Sequence, residues 1–133
     1  MTAVPEAVVE KIVQAVSGRL SDPNYAQVAV GTFVQTFPDV SRFITAHADE
    51  IGGSEMVIHV VFHAQVLAEA LHEHRGREFA TVGFVELDQA SESDLEAAFS
   101  SKEPALASYV ASNIDDANVR KLLAHVGLAL SAA

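Results

Sequence analysis

The chain contains no cysteine, and only 8 of its 133 residues are lysine or arginine. The absence of cysteine excludes a disulfide framework, a thiolate metal site and a cysteine nucleophile. Against the 8 basic residues stand 18 aspartate and glutamate residues, which leaves a net charge of −10. Nucleic acids and anionic lipids are bound by clustered cations, so this balance argues against both as partners.

Long apolar runs are missing as well. The most apolar stretch, residues 56–71, is interrupted by two histidines, a glutamine and a glutamate. No uninterrupted run reaches the roughly 18 residues that a membrane span requires. Glu6 and Glu10 stand where a secretory signal would carry basic residues. We therefore expect a cytoplasmic protein that does not enter a membrane.

What the chain does contain is apolar side chains, which make up 50% of its residues. That content excludes disorder, and the length matches one ordinary domain. Nearly every segment carries apolar residues at the spacing of an amphipathic helix. The sequence therefore predicts the all-α class, with six or seven helices in one compact domain over residues 1–133.

Start and stop signals mark the boundaries of the predicted helices. Proline after a capping residue favours a helix start, and glycine favours a stop. The longest predicted helix, about residues 54–75, ends at Gly76 and is apolar around most of its circumference. Residues 77–102 are predicted to be an acidic segment in which an irregular link precedes a short helix from Phe84. Three other helices are expected at about residues 5–20, 23–36 and 38–51. Two further helices are expected to begin at about residues 101–104 and at about residues 115–116.

Histidine is the one residue type whose pattern indicates chemistry, because five of the six histidines lie between His47 and His74. His59 and His63 are four residues apart, so their rings project from one side of a helix and can bind one metal ion. Glu55 lies one further turn back. If the helices before and after residues 51–54 form an antiparallel hairpin, His47 reaches the same level as His59. These four residues are a candidate site for zinc or another divalent cation.

A structural interpretation explains the same histidines without a metal, and we favour it. The stripe that carries Glu55, His59 and His63 is predicted to face away from the apolar core as a partly wet polar surface. His47 is then a core histidine whose ring N–H donates to a carbonyl. The chain also shows no Gly-rich phosphate loop and no complete catalytic set, so we expect no catalytic residue and no enzymatic activity.

Residues 33–38 (Phe-Val-Gln-Thr-Phe-Pro), followed by Phe43, resemble the corner between the second and third helices of globins. His63 falls roughly where the distal histidine of a globin would lie. The resemblance covers a short part of the chain. Globins also have a proximal histidine on a later helix, and this chain has no histidine between Arg75 and Ala124. The resemblance therefore does not extend to a haem site.

The apolar content leads to the functional expectation. A small domain with this composition and such an apolar longest helix has more apolar surface than one core readily hides. Large exposed apolar patches mark interfaces, and a symmetric homodimer is the commonest result. The expected seam consists of residues 28–34, where Gly31 permits close approach, and of the longest helix. We therefore expect a non-enzymatic domain that acts through self-association or by binding another protein, with metal binding as the alternative.

Overall fold

The computed structural model describes residues 3–76 and 78–133. The first two residues, and Arg77 at the start of the predicted link, lie outside the described residues. Over the described part, the chain forms nine α-helices and no strand, which confirms the all-α class. The nine helices are α1 (Glu6–Arg19), α2 (Tyr25–Thr36), α3 (Pro38–Ala46), α4 (Ala48–Ile51), α5 (Ser54–Arg75), α6 (Phe84–Gln89), α7 (Leu95–Lys102), α8 (Pro104–Asn113) and α9 (Ala117–Ala132).

The predicted number of six or seven helices is wrong because two short helices were not distinguished. The chain leaves helical geometry at His47, whose φ of −99° and ψ of 11° separate α3 from the single turn of α4. In the acidic segment, Asp94 begins α7 by accepting a hydrogen bond from the backbone N–H of Ala97 at 3.1 Å. An aspartate at this position satisfies an amide that the first turn leaves unpaired.

Several helix ends follow the predicted signals. Pro38 begins α3 directly after α2 ends at Thr36. Gly76 ends α5 with a φ of 67°, a left-handed conformation that glycine adopts without steric cost. Asp116 caps α9 by accepting from the N–H groups of Asn118 and Val119. The long α5 therefore has the predicted bounds, and local residue chemistry accounts for them.

The core lies between α5 and α9, which pack against each other and are covered by the remaining helices. Ten residues of α9 are buried, and α9 contacts helices on several sides, including α5, α7 and α8. α5 is covered by α1 on one side and by α2 on another. The two helices contribute these fully buried large side chains: Val60, Leu67, Leu71, Val119, Leu123 and Leu130.

The predicted link is irregular over residues 78–83, as expected, and it is anchored at two points. Phe79 packs edge-on against Phe37, with ring centroids 5.3 Å apart. Val82 is buried in the core. Within the described residues, no helix combines the length and the apolar character that crossing a membrane requires.

One close contact in the core generates a stability prediction. Gly127 of α9 faces the buried ring of Phe99 on α7, and a Cβ atom at position 127 would lie 2.6 Å from two carbons of that ring. We expect Gly127→Ala to lower the free energy of unfolding by about 1–3 kcal/mol, because the core must shift to admit one methyl group. Urea denaturation followed by circular dichroism measures the change.

Gly18 of α1 provides the matched control, because a Cβ added there meets nothing within 4 Å. Gly18→Ala is expected to leave the stability unchanged or to raise it by up to about 1 kcal/mol, since alanine favours the helix. A Gly127→Ala variant as stable as the Gly18→Ala variant would contradict the described packing of α7 on α9.

Candidate functional site

His63 occupies a buried position where α5 meets α8. Its side chain is only 7% exposed, and its Nδ1 atom lies 2.7 Å from the hydroxyl oxygen of Tyr109. The two rings are also in contact, with centroids 5.7 Å apart. The expectation that the His59 and His63 stripe faces water is therefore wrong for His63, because Tyr109 of α8 packs against its ring.

His59 lies one turn before His63 and remains exposed. The two imidazole rings meet nearly at right angles, with centroids 4.5 Å apart. The ring of Phe62 also contacts His63, at a centroid distance of 5.6 Å. His63 is thus enclosed by three rings, and only one of them belongs to an exposed residue.

Burial determines the charge state of this pair. Burial, and to a lesser extent the nearby His59, lowers the pKa of His63 to about 4, so its ring is neutral at pH 7. Burial, with a smaller contribution from Tyr25, raises the pKa of the Tyr109 hydroxyl above its usual range. The hydrogen bond between His63 and Tyr109 therefore joins two uncharged groups, which avoids the cost of a buried charge.

His47 lies in a different environment. Its Nδ1–H donates to the carbonyl oxygen of Phe43 at 2.8 Å, and its ring packs on the Phe43 ring with centroids 4.7 Å apart. It lines a small pocket of about 200 Å³ together with Glu50 and His125. The expectation that a His47 ring N–H donates to a carbonyl is confirmed, since a carbonyl oxygen can only accept.

The four residues of the candidate metal site are not gathered into one cluster. The structure brings His59 and His63 together, but His47 packs on α3 beside α9, and Glu55 is exposed in the first turn of α5. Across residues 3–76 and 78–133, no group of three or more histidine, aspartate and glutamate side chains is placed to hold a metal ion. The pairing of His63 with Tyr109 uses the Nδ1 atom for a structural hydrogen bond.

Tyr109 was not singled out from the sequence, although it is the partner of the buried histidine. The two residues lie 46 positions apart, and Tyr109 is part of no recognisable motif. Tyr109 also lines a long groove of about 920 Å³ between α1 and α8, whose walls include Val9 and Val13. Only the tertiary contact with His63 identifies Tyr109, because its spacing within α8 indicates no more than an amphipathic helix.

A second surface stands out for its exposed apolar side chains, at the crossing of α2 and α5. Tyr25 of α2 and Phe62 of α5 meet edge to face with centroids 6.4 Å apart. Val28, one turn after Tyr25, is 62% exposed, and Ile58, one turn before Phe62, is 57% exposed. These four residues are called the α2/α5 face below.

Charge is absent from the α2 half of this face. None of the twelve residues of α2 is charged, although most of the helix is exposed. Gly31 faces open space on the outer side of the same helix, with no atom near the position of an added Cβ. In a chain with a net charge of −10, an exposed helix without any charge is unusual, and it lies at one of the two predicted seam positions.

Comparison of the chain with known protein families, with curated proteins and with solved structures returned no match.

The depressed pKa of His63 predicts how stability depends on pH. The unfolded chain binds a proton at His63 near its ordinary pKa of 6.5, whereas the folded chain binds it only near pH 4. The contribution of His63 to the free energy of unfolding should therefore be largest above pH 6.5. It should decrease as the pH drops towards 4, by on the order of 3 kcal/mol. Urea denaturation at a series of pH values measures this dependence.

The His63→Gln variant isolates the contribution of the histidine from that of carboxylates that titrate in the same range. We expect its stability to fall less steeply with acidification than that of the unaltered protein. His59→Gln is the matched control, since His59 is exposed, and it should keep the steep dependence. Parallel pH dependences for the unaltered protein and His63→Gln would contradict the buried neutral state of His63.

Proposed function

We propose that this chain is a non-enzymatic helical domain that acts by self-association, forming a symmetric homodimer through the α2/α5 face. The observation that carries the proposal is that two largely exposed apolar side chains, Val28 and Ile58, each lie one turn from the contact between α2 and α5. One of these helices, α2, has no charged residue. Exposed apolar surface of this kind is typical of interfaces.

The charge of the molecule supports a second copy as the occupant. Two copies that each carry a net charge of −10 repel one another wherever acidic surfaces meet. The uncharged α2 avoids that repulsion, and a two-fold axis beside it would place α2 of one protomer against α2 of its partner. In such an interface each residue is buried twice, because the same surface is contributed by both copies.

The side chains around the crossing favour close contact. Gly31 lets a partner approach the backbone of α2, since nothing fills the space at its α-carbon. Covering the exposed parts of Val28 and Ile58 contributes on the order of 1 kcal/mol per side chain, and symmetry doubles the contribution.

Lysine substitutions on the α2/α5 face test the proposal. We expect the unaltered protein to elute as a dimer in size-exclusion chromatography with light scattering at micromolar concentration. Val28→Lys and Ile58→Lys should each shift the population towards monomer and raise the dissociation constant of the dimer by at least about tenfold. The reason is that each substitution buries two charges in the symmetric interface. Both positions are exposed, so the helical content should be unchanged.

Val85→Lys on α6 is the matched control, because Val85 is as exposed as Val28 but lies outside the α2/α5 face. It should leave the dimer intact. An unaltered protein that is monomeric at high micromolar concentration would refute self-association. A dimer that resists both α2/α5 substitutions but dissociates with Val85→Lys would refute the proposed seam.

A further inference from the structure

A third surface, on α6, combines exposed apolar side chains with negative charge. Phe84 is 48% exposed and Val85 is 63% exposed, although both are large apolar residues at the start of this short helix. Asp88, one turn later on the same side, is also exposed. These three residues are called the α6 surface below.

The exposure of the α6 surface does not reflect a loosely attached helix. Leu87 buries its side chain in the core and is only 1% exposed. The Nε2–H group of His125 donates to the carbonyl oxygen of Leu87 at 2.6 Å, which ties α6 to α9. Glu86 accepts a hydrogen bond from the N–H of Gly83 at 2.7 Å and so closes the first turn. Phe84 and Val85 are therefore presented to solvent by a helix that is held in place.

The surroundings of the α6 surface are acidic. The carboxylate oxygens of Asp39 and Glu86 both lie close to Gly83, the residue before Phe84, within 3.3 Å of where its Cβ would stand. Of the six acidic residues between positions 78 and 101, Glu96 forms an ion pair with Arg120 of α9 at 3.0 Å, whereas Asp88 forms no ion pair with any described residue. The cation that contacts Asp39 is Arg42, at 3.4 Å and largely exposed.

We propose that the α6 surface binds a basic, amphipathic segment of another protein, in which apolar side chains cover Phe84 and Val85 and lysine or arginine side chains pair with the surrounding carboxylates. Charge complementarity selects this occupant. A second copy of the chain is disfavoured here, because its own α6 surface would bring like charges together. The α6 surface therefore differs from the uncharged α2/α5 face in the kind of partner that it fits.

A synthetic peptide supplies the probe. A fluorescein-labelled helical peptide of lysine and leucine is titrated with the full chain, and fluorescence anisotropy gives the Kd. A second peptide of equal charge, in which serine replaces leucine, measures attraction by charge alone. We expect the lysine–leucine peptide to bind at least about tenfold more tightly, because only it can cover the apolar side chains.

Exposed-site variants locate the binding surface. Val85→Ser should weaken binding of the lysine–leucine peptide by about tenfold and leave the lysine–serine peptide unaffected, because it removes apolar contact without changing charge. Asp88→Asn should weaken both peptides and reduce the dependence of the Kd on salt. Val28→Ser, on the α2/α5 face, is the matched control and should change neither affinity.

The outcomes separate this proposal from the proposed homodimer. Equal binding of the lysine–leucine peptide by the unaltered protein and by Val85→Ser would overturn the α6 surface as its site, even if the peptide binds. If Val28→Ser, and not Val85→Ser, weakened binding of the lysine–leucine peptide, the peptide would lie on the α2/α5 face, and this result would also overturn the proposal. Because Val85→Ser leaves the α2/α5 face unchanged, the oligomeric state is expected to be the same in all variants on α6.

Discussion

The packing of α5 on α9 is the constraint on which the rest of the structure depends. Buried residues run through α5 from Val60 to Leu71 and through α9 from Val119 to Ser131, so these stretches must be covered by other parts of the chain. Burying them requires several shorter helices around them, and this need explains why so much of the chain is divided into short helical pieces. The contact between Gly127 and Phe99 shows how closely that outer layer fits.

Covering these two helices also determines what remains exposed. A chain of this size cannot hide all of its apolar residues, and four of the six large apolar side chains exposed among the described residues form two chemically different groups. The α2/α5 face lies beside a helix without charge, whereas the α6 surface lies among carboxylates. The same apolar surplus therefore leads to two expectations, a second copy at the first surface and a basic partner at the second.

Much of the fold could be predicted, and the reasons are local. The helical period and the residues at Pro38, Gly76 and Asp116 place the helix boundaries that the structure shows. The short helices α4 and α7 could not be predicted with the same ease. A single turn carries too few residues for a period, and α7 begins within an acidic segment that resembles a solvated loop. Its capping residue, Asp94, was the only local signal.

The candidate site shows where sequence reasoning ends. The sequence alone determined that the chain is helical, that His59 and His63 share one side of α5, and that α2 is uncharged, because each follows from composition or from the period of one helix. Only the tertiary structure decided that α8 covers His63, that Tyr109 is its partner, and that His47 packs on Phe43 instead. The period of a helix fixes which residues share a face, but the packing of the whole chain decides which helix covers that face.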